Sequence, residues 1–227
     1  MLRGFLSRSH DRKTKSVVHG FALGKDIVSN AAHHTPRRYV LNVDLKDFFL
    51  SITFRRVRGM LMAKPYFLGS SAATVIAQLC TFDEKLPQGA PTSPVITNMV
   101  CGRFDAHLKA LAKTYRCNYT RYADDITFST SLTSFPSALA QTQMIGKAAR
   151  AIIGPELLKI IADNDFQVNT EKVRLQLWRE RQEVTGLVSN EFPNVSRSYI
   201  RQLRAILHAW KKFGPAAKRR ASARCNR

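Results

Sequence analysis

The stretch Asn118-Tyr-Thr-Arg-Tyr-Ala-Asp-Asp-Ile-Thr-Phe-Ser129 constrains this chain more than any other. Aromatic, Thr and Arg residues alternate into Tyr122-Ala123, two carboxylates follow, and alternation resumes through Ile126, Thr127 and Phe128. That pattern predicts strand, tight turn, strand, with Asp124 and Asp125 at the tip of a hairpin. An isolated Asp-Asp is ordinary turn chemistry, because short carboxylates bond their own backbone. A second segment changes the weighting. Tyr39-Val-Leu-Asn-Val-Asp-Leu45 is another β-prone run, with Asp44 near its end and Lys46-Asp47-Phe48-Phe49 after it. If the two runs are neighbours in one sheet, Asp44 and the Asp124/Asp125 pair converge at one edge.

Clustered anions repel, and without a cation at least one would keep its proton to a raised pKa. A divalent metal removes the conflict. Mg²⁺ prefers hard oxygen ligands, commonly one or two carboxylates plus substrate phosphates. Two such ions roughly 3.5–4 Å apart stabilise both the attacking and the leaving oxygen of an in-line phosphoryl displacement. The chemistry suggested is nucleotidyl transfer.

Charge points the same way. The 227 residues hold 36 Lys and Arg against 16 Asp and Glu, a formal net charge of +20. Such an excess favours a polyanionic partner, nucleic acid first. No basic amphipathic helix of the membrane-anchoring kind opens the chain, and no apolar run is long enough to span a bilayer. Met1-Leu-Arg-Gly-Phe-Leu6 lacks the apolar core of a signal peptide, so a soluble cytoplasmic protein is expected. Cys80, Cys101, Cys117 and Cys225 show no Cys-x-x-Cys pairing, which argues against a zinc knuckle or a disulfide framework. The length suits one core, or two lobes sharing it.

Along the chain, the basic residues 1–16 are expected to be poorly ordered. A phosphate-binding loop at Gly20 to Gly24-Lys25 is rejected: the spacing is one residue short, and Asp26 stands where Ser or Thr is needed. Asn30-Ala-Ala-His-His34 reads, on its own, as a helix end with solvated histidines. Residues 55–82 alternate basic and apolar, then turn helical through 72–82. Leu86-Pro-Gln-Gly-Ala-Pro-Thr-Ser-Pro94 predicts a rigid loop, with Thr92 or Ser93 capping the next helix and Pro94 in its first turn. The free N–H groups of that junction could take phosphate or template backbone. Val95, Met99, Val100, Phe104, Leu108 and Leu111 mark an amphipathic helix of about five turns. Residues 137–163 read as helix interrupted near Gly154-Pro155, 165–172 return to β character, and 182–188 form a strand bent at Gly186. A last helix, capped at Ser196 or Ser198, is expected to bury Ile200, Leu203, Ile206, Leu207 and Trp210. Its Arg201 and Arg204 stay on the polar side, and Gly214-Pro215 stop it. Residues 211–227 carry seven Lys or Arg and no acid, a solvated tail adding non-specific affinity.

With these residues in order, the chain resembles reverse transcriptases of the retron and bacterial group II intron type, from about residue 19 to 212. Asn42-Val-Asp-Leu-Lys-Asp-Phe-Phe49 is similar to the family's first catalytic motif and Tyr122-Ala-Asp-Asp125 to its signature hairpin. The resemblance assigns Asp44, Asp124 and Asp125 to catalysis and to two Mg²⁺ ions. Phe49 matches the bulky residue that screens a nucleotide's 2′ position, and Gln88, in the proline-rich loop, the contact to incoming nucleotide and template. Lys172, after Val168-Asn169, matches a lysine near the triphosphate. Asn30-Ala-x-x-His34 and Val184-Thr-Gly186 resemble retron-associated motifs, which adds Asn30, His34, Val184, Thr185 and Gly186 to the expected RNA contacts. Arg201 and Arg204 join them from the last helix.

What the resemblance implies is an α+β, right-hand polymerase fold. Residues 1–18 form a basic segment, 19–38 the fingers/palm junction, 39–52 and 93–192 the palm, 53–92 reduced fingers, and 193–227 the start of a thumb plus the tail. It implies an RNA-directed DNA polymerase using dNTPs, with a structured noncoding RNA as template and partner, a cDNA product, a role in anti-phage defence and an effector protein. Relatives carry a further fingers segment before His19 and a longer thumb, so the chain reads as truncated, split or degenerate at both ends. Two alternatives stay open: a catalytically silent RNA-binding protein, and a group II intron-type enzyme.

Overall fold

The computed structural model describes residues 16–145 and 148–214, together with Gly4 and Leu6. The basic stretch before residue 16, those two residues apart, and the tail beyond 214 lie outside the described residues, and the expectations made for them with it.

The central strand is the Asp44 run. β1 (Tyr39–Lys46) pairs antiparallel with β3 (Asp125–Thr130), from Tyr39 opposite Thr130 to Asp44 opposite Asp125. β2 (Asn118–Tyr122) closes the hairpin with β3, Tyr122 opposite Asp125. The other edge of β1 is shared: β7 (Arg174–Leu177) pairs with its first half and β6 (Gln167–Val168) with its end. The two-residue period then sorts side chains by face. Leu41, Val43 and Leu45 of β1, Ile126 and Phe128 of β3 and Tyr119 of β2 enter the main core. Asn42, Asp44, Asp125 and Thr127 face the other way.

α1 (Ile27–Ala32) precedes β1 and packs with the 183–188 segment, outside the main core. Other helices cover the core face: α2 (Phe54–Met62) is capped by Thr53, and α3 (Ser70–Cys80) packs beside it. The expected five-turn helix is two, α4 (Ser93–Val100) and α5 (Gly102–Thr114), broken at Cys101. Its apolar stripe is nonetheless as read, with Val95, Met99, Phe104, Leu108 and Leu111 buried. Thr92 makes no side-chain cap; instead the N–H groups of Ser93, Val95 and Ile96 donate to the carbonyls of Ala90 and Thr92. That junction therefore offers fewer free donors than its sequence suggests.

Three other expectations are corrected. Residues 137–145 and 148–153 are not helical: β4 (Ala140–Ile145) and β5 (Ala148–Ile153) pair antiparallel, and of the stretch read as helix only α6 (Pro155–Ala162) is helix among the described residues. The Ala- and Gln-rich composition favours helix, but the base of the hairpin is anchored in the core by Leu139 and Ala140. Gly154 closes it so tightly that a Cβ would lie 2.3 Å from the Ala138 backbone. The bent strand at 182–188 is a hairpin of β8 (Glu183–Val184) and β9 (Leu187–Val188), turning through Thr185 and Gly186 at φ 47° and 79°. Positive φ at both central residues suits the right-handed twist of the strands. Finally, α7 (Arg197–Phe213), capped by Ser196, buries no residue. Leu203, Ile206, Leu207 and Trp210 are 43–57% exposed. Its amphipathic pattern defines an apolar face that no described element covers. No helix among the described residues is long and apolar enough to cross a membrane.

Candidate active site

The face of the sheet turned away from the core is roofed at one end only. Ala31 of α1, Val40, and Val184 and Leu187 of the β8–β9 hairpin form a small second core over it. Towards the other end the roof stops and a cavity of about 330 Å³ opens, lined by Asn42, Asp44, Tyr122, Asp125, Thr127 and Lys172, with Thr185 and Gly186 at its far wall.

Asp44 and Asp125 stand directly opposite across β1 and β3, where side chains on one face have Cβ atoms about 4.5–5.5 Å apart. Asp124 precedes Asp125 on the turn, and its carbonyl accepts from the Leu45 N–H at 3.2 Å. The turn proper is Ala123-Asp124, with Ala123 at φ 56°, and Asp125 already belongs to the strand. Burial, then Asp124 and Asp44, push the Asp125 carboxyl up to about 6. Burial raises Asp124 too, with Asp44 adding to it. Asp44 itself is held on both oxygens, by Lys172 Nζ at 3.0 Å and by Asn169 Nδ2 at 3.2 Å. Hydrogen bonding to Asp44 raises Lys172 in turn. Three half-buried carboxylates therefore share one adjacent ammonium. Arg174 is nearby but lies 3.9 Å from Glu183. Among the described residues, no group of three or more His, Cys, Asp or Glu is gathered tightly enough to hold a metal ion unaided. The donor set is all hard oxygen with surplus negative charge, which fits a divalent cation of the Mg²⁺ class once Asp44 is released from Lys172.

Residues 6–189 match the sequence family described as Reverse transcriptase (RNA-dependent DNA polymerase). The chain belongs to the reverse transcriptase family. Among its relatives are the Retron Mx65 reverse transcriptase of Myxococcus xanthus, 40% identical over 84% of this chain and 45% of that protein, and the Retron Mx162 reverse transcriptase of the same organism, 39% identical over 87% and 44%. The Retron Ec86 reverse transcriptase of Escherichia coli is 32% identical over 83% and 54%. Within the reverse transcriptases the chain is thus of retron type, and it spans about half the length of the curated relatives it matches. The structure of apo telomerase from Candida tropicalis, truncated from the C-terminal domain, superposes with a TM-score of 0.53 at 12% identity, covering 86% of this chain and 45% of that one. That likeness is one of fold, the right-hand polymerase fold. The reverse transcriptase family is generally metal-dependent.

The structure brings Asp44, Asp124, Asp125 and Lys172 together, with Thr185 and Gly186 across the same cavity, and leaves the remaining expected residues elsewhere. Phe49 is half-buried, packed edge-on against Phe48 and Phe21 with ring centroids 5.5 and 6.5 Å away. Gln88 is exposed, and neither it nor Phe49 lines the cavity. Three residues assigned to RNA are corrected. Asn30, His34 and Val184 are 1%, 0% and 0% exposed, so they serve packing rather than surface contact. Asn30 Nδ2 donates to Thr185 Oγ1 at 3.4 Å, tying α1 to the β8–β9 turn. His34 is wedged between Ser129 and Thr120, 2.7 Å from each hydroxyl, and burial lowers it to about 3, so the expected solvated pair holds only for His33. Thr185 is half-buried and Gly186 exposed at the cavity wall, while Arg201 and Arg204 are exposed on α7.

Sequence reasoning missed the support beneath the hairpin. Arg121 of β2 shares the inward face with Tyr119 and is fully buried against Asp105 of α5, at 2.7 Å. The signal was present. An Arg at an inward position of an alternating strand demands a buried acid, and Asp105 interrupts the apolar run of its helix.

Proposed function

We propose that this chain is the palm-bearing part of a retron-type RNA-directed DNA polymerase that extends a primer on a structured noncoding RNA, giving cDNA. The observation that carries the reading is the register of β1 on β3, with Asp44 opposite Asp125 and Asp124 beside it. Asp44, Asp124 and Asp125 would hold two Mg²⁺ ions. When bound, such ions neutralise developing phosphate charge and lower the pKa of the attacking hydroxyl. Lys172 stands at the rim, placed to offset triphosphate charge or to give a proton to departing pyrophosphate. Phe49 is read as the screen against a ribonucleotide 2′-hydroxyl and Gln88 as a nucleotide and template contact. Residues 39–52 and 93–192 are read as palm, 53–92 as fingers, 19–38 as their junction and 193–227 as the start of the thumb. The exposed Arg201 and Arg204, with Thr185 and Gly186, are the remaining candidates for RNA contact. The same reading makes the protein cytoplasmic and part of an anti-phage defence system with an effector protein.

Primer extension on an RNA template tests it. Wild-type protein should incorporate dNTPs only with a divalent cation, and Asp124→Asn should abolish incorporation while RNA binding is unchanged. Equal incorporation by the variant removes the carboxylate assignment. RNA binding by wild type without incorporation at any cation concentration favours the catalytically silent alternative.

A further inference from the structure

Beneath the β2–β3 hairpin lies a polar network with no part in the chemistry just described. Arg121 Nε and Nη2 clasp the two oxygens of Asp105 at 2.7 and 2.9 Å, and Nη2 also donates to Asn98 Oδ1 on α4 at 3.1 Å. Nη1 donates to the Ala123 carbonyl at 3.0 Å. Asp105 accepts a further bond from the Tyr119 hydroxyl at 2.7 Å, and Asn98 Nδ2 donates to the Gly20 carbonyl at 2.9 Å. Gly20 in turn lies so close to the turn that a Cβ there would meet the Ala123 nitrogen at 2.3 Å. The Arg121 backbone completes the frame, donating to Val17 O at 3.0 Å and accepting from the His19 N–H at 2.9 Å.

This arrangement converges on Ala123, whose φ of 56° is a conformation that residues with a Cβ rarely adopt. Stability alone does not account for it. Well-packed apolar residues of similar volume commonly do as well as a buried ion pair. What they cannot do is hold a carbonyl oxygen in one place. We propose that Arg121, itself fixed by Asp105 and Asn98, is a positioning residue: its guanidinium anchors the Ala123 carbonyl and so sets the left-handed turn that aims Asp124 and Asp125. The proposal rests on those carboxylates being cation ligands, and its experiment separates the two ideas.

The double variant Arg121→Met/Asp105→Leu removes both charges together, so neither is left buried and unpaired. Amide exchange gives the first readout. The Leu45 N–H donates to Asp124 O and reports the tip of the hairpin, whereas amides within β3 report the sheet. Faster exchange at Leu45 with β3 still protected is expected. Unchanged exchange at Leu45, or equal loss throughout the sheet, overturns the proposal. Mn²⁺ titration without nucleotide gives the second readout. Affinity should weaken by about 10–100-fold, as when the partners that orient metal ligands are removed. Adding Ala123→Gly, which accepts the left-handed turn without strain, should recover part of the loss. Unchanged Mn²⁺ affinity in the double variant also overturns the proposal. If wild-type protein binds no Mn²⁺, the carboxylate reading fails, and exchange at Leu45 still judges the hold of Arg121 on the turn. If the double variant does not fold, Arg121→Lys is read in the same two ways, since it keeps the charge beside Asp105 but lacks the planar fork that also reaches Ala123.

Discussion

Two clusters of charge lie back to back across one hairpin, and they are opposite in kind. Below the sheet, Arg121 and Asp105 have side chains 0% and 1% exposed and are matched one to one. Burial alone would lower Arg121, but Asp105 more than reverses this, so the guanidinium stays charged. Above the sheet, Asp44, Asp124 and Asp125 share Lys172, whose side chain is 57% exposed. The lower cluster is complete within the chain and the upper one is short of positive charge. Strand parity does the sorting: positions 119 and 121 turn inward, while 44, 125 and 127 turn outward. Charge that closes on itself builds structure, and charge that does not close awaits a ligand.

The comparison breaks most visibly through the lower cluster. Asp105→Leu strips Arg121 of its counter-charge in a site without water access. A loss of about 3–5 kcal/mol in urea-unfolding free energy is expected, because an uncompensated buried charge remains. Adding Arg121→Met should recover most of it. A loss below about 1 kcal/mol for Asp105→Leu alone would place the pair among surface ion pairs and end the contrast.

The upper cluster should respond with the opposite sign. Asp125→Asn removes a charge that burial and two neighbouring carboxylates disfavour, and so should stabilise the metal-free protein. Because Asp125 is raised to about 6, the folded chain keeps a proton that the unfolded chain releases from about pH 4 upward. The stability this contributes is present below that window and is lost as pH rises through about 6. The gain from Asn should therefore be absent near pH 4 and greatest above pH 6. Roughly 1 kcal/mol is expected there, after allowing for solvent screening of a half-buried group. Thermal unfolding of both proteins in chelator across pH 4–8 measures it. A variant less stable than wild type at high pH would mean that the three carboxylates are already compensated.

This sorting explains which parts of the molecule were legible in the sequence. β1, β2 and β3 were, because a half-buried strand must alternate, and the carboxylates fall where two alternating runs end. The partnership of Arg121 with Asp105 was legible only as a demand for some acid; which acid depends on α5 crossing beneath β2. Asn30 and His34 were misplaced because polar residues at a helix end read as solvated, whereas here the β8–β9 hairpin and strands β2 and β3 supply their partners. Residues 137–153 misled through composition, since helix-favouring Ala and Gln stand in strands held by the hairpin's buried base. For α7, periodicity identified an apolar face but carried no information on what would cover it.

The smallest change in stability should come from Lys172→Met, and it is the most informative about the upper cluster. The ammonium is exposed, so its bond to Asp44 competes with water and salt, and unfolding free energy should not measurably change. Cation binding should change. In the protein as it stands, Lys172 and Asn169 engage both oxygens of Asp44, so an entering cation must displace an ammonium. Without Lys172 that competition is gone and local charge is more negative, so Mn²⁺ should bind the metal-free variant severalfold more tightly. Primer extension should nonetheless slow if, as proposed, Lys172 is the group that faces the triphosphate. Tighter cation binding with slower incorporation is the outcome expected of a stand-in charge that must move aside. Weaker binding and slower incorporation together would make Lys172 a support for Asp44, and the upper cluster would then be more self-contained than its three carboxylates imply.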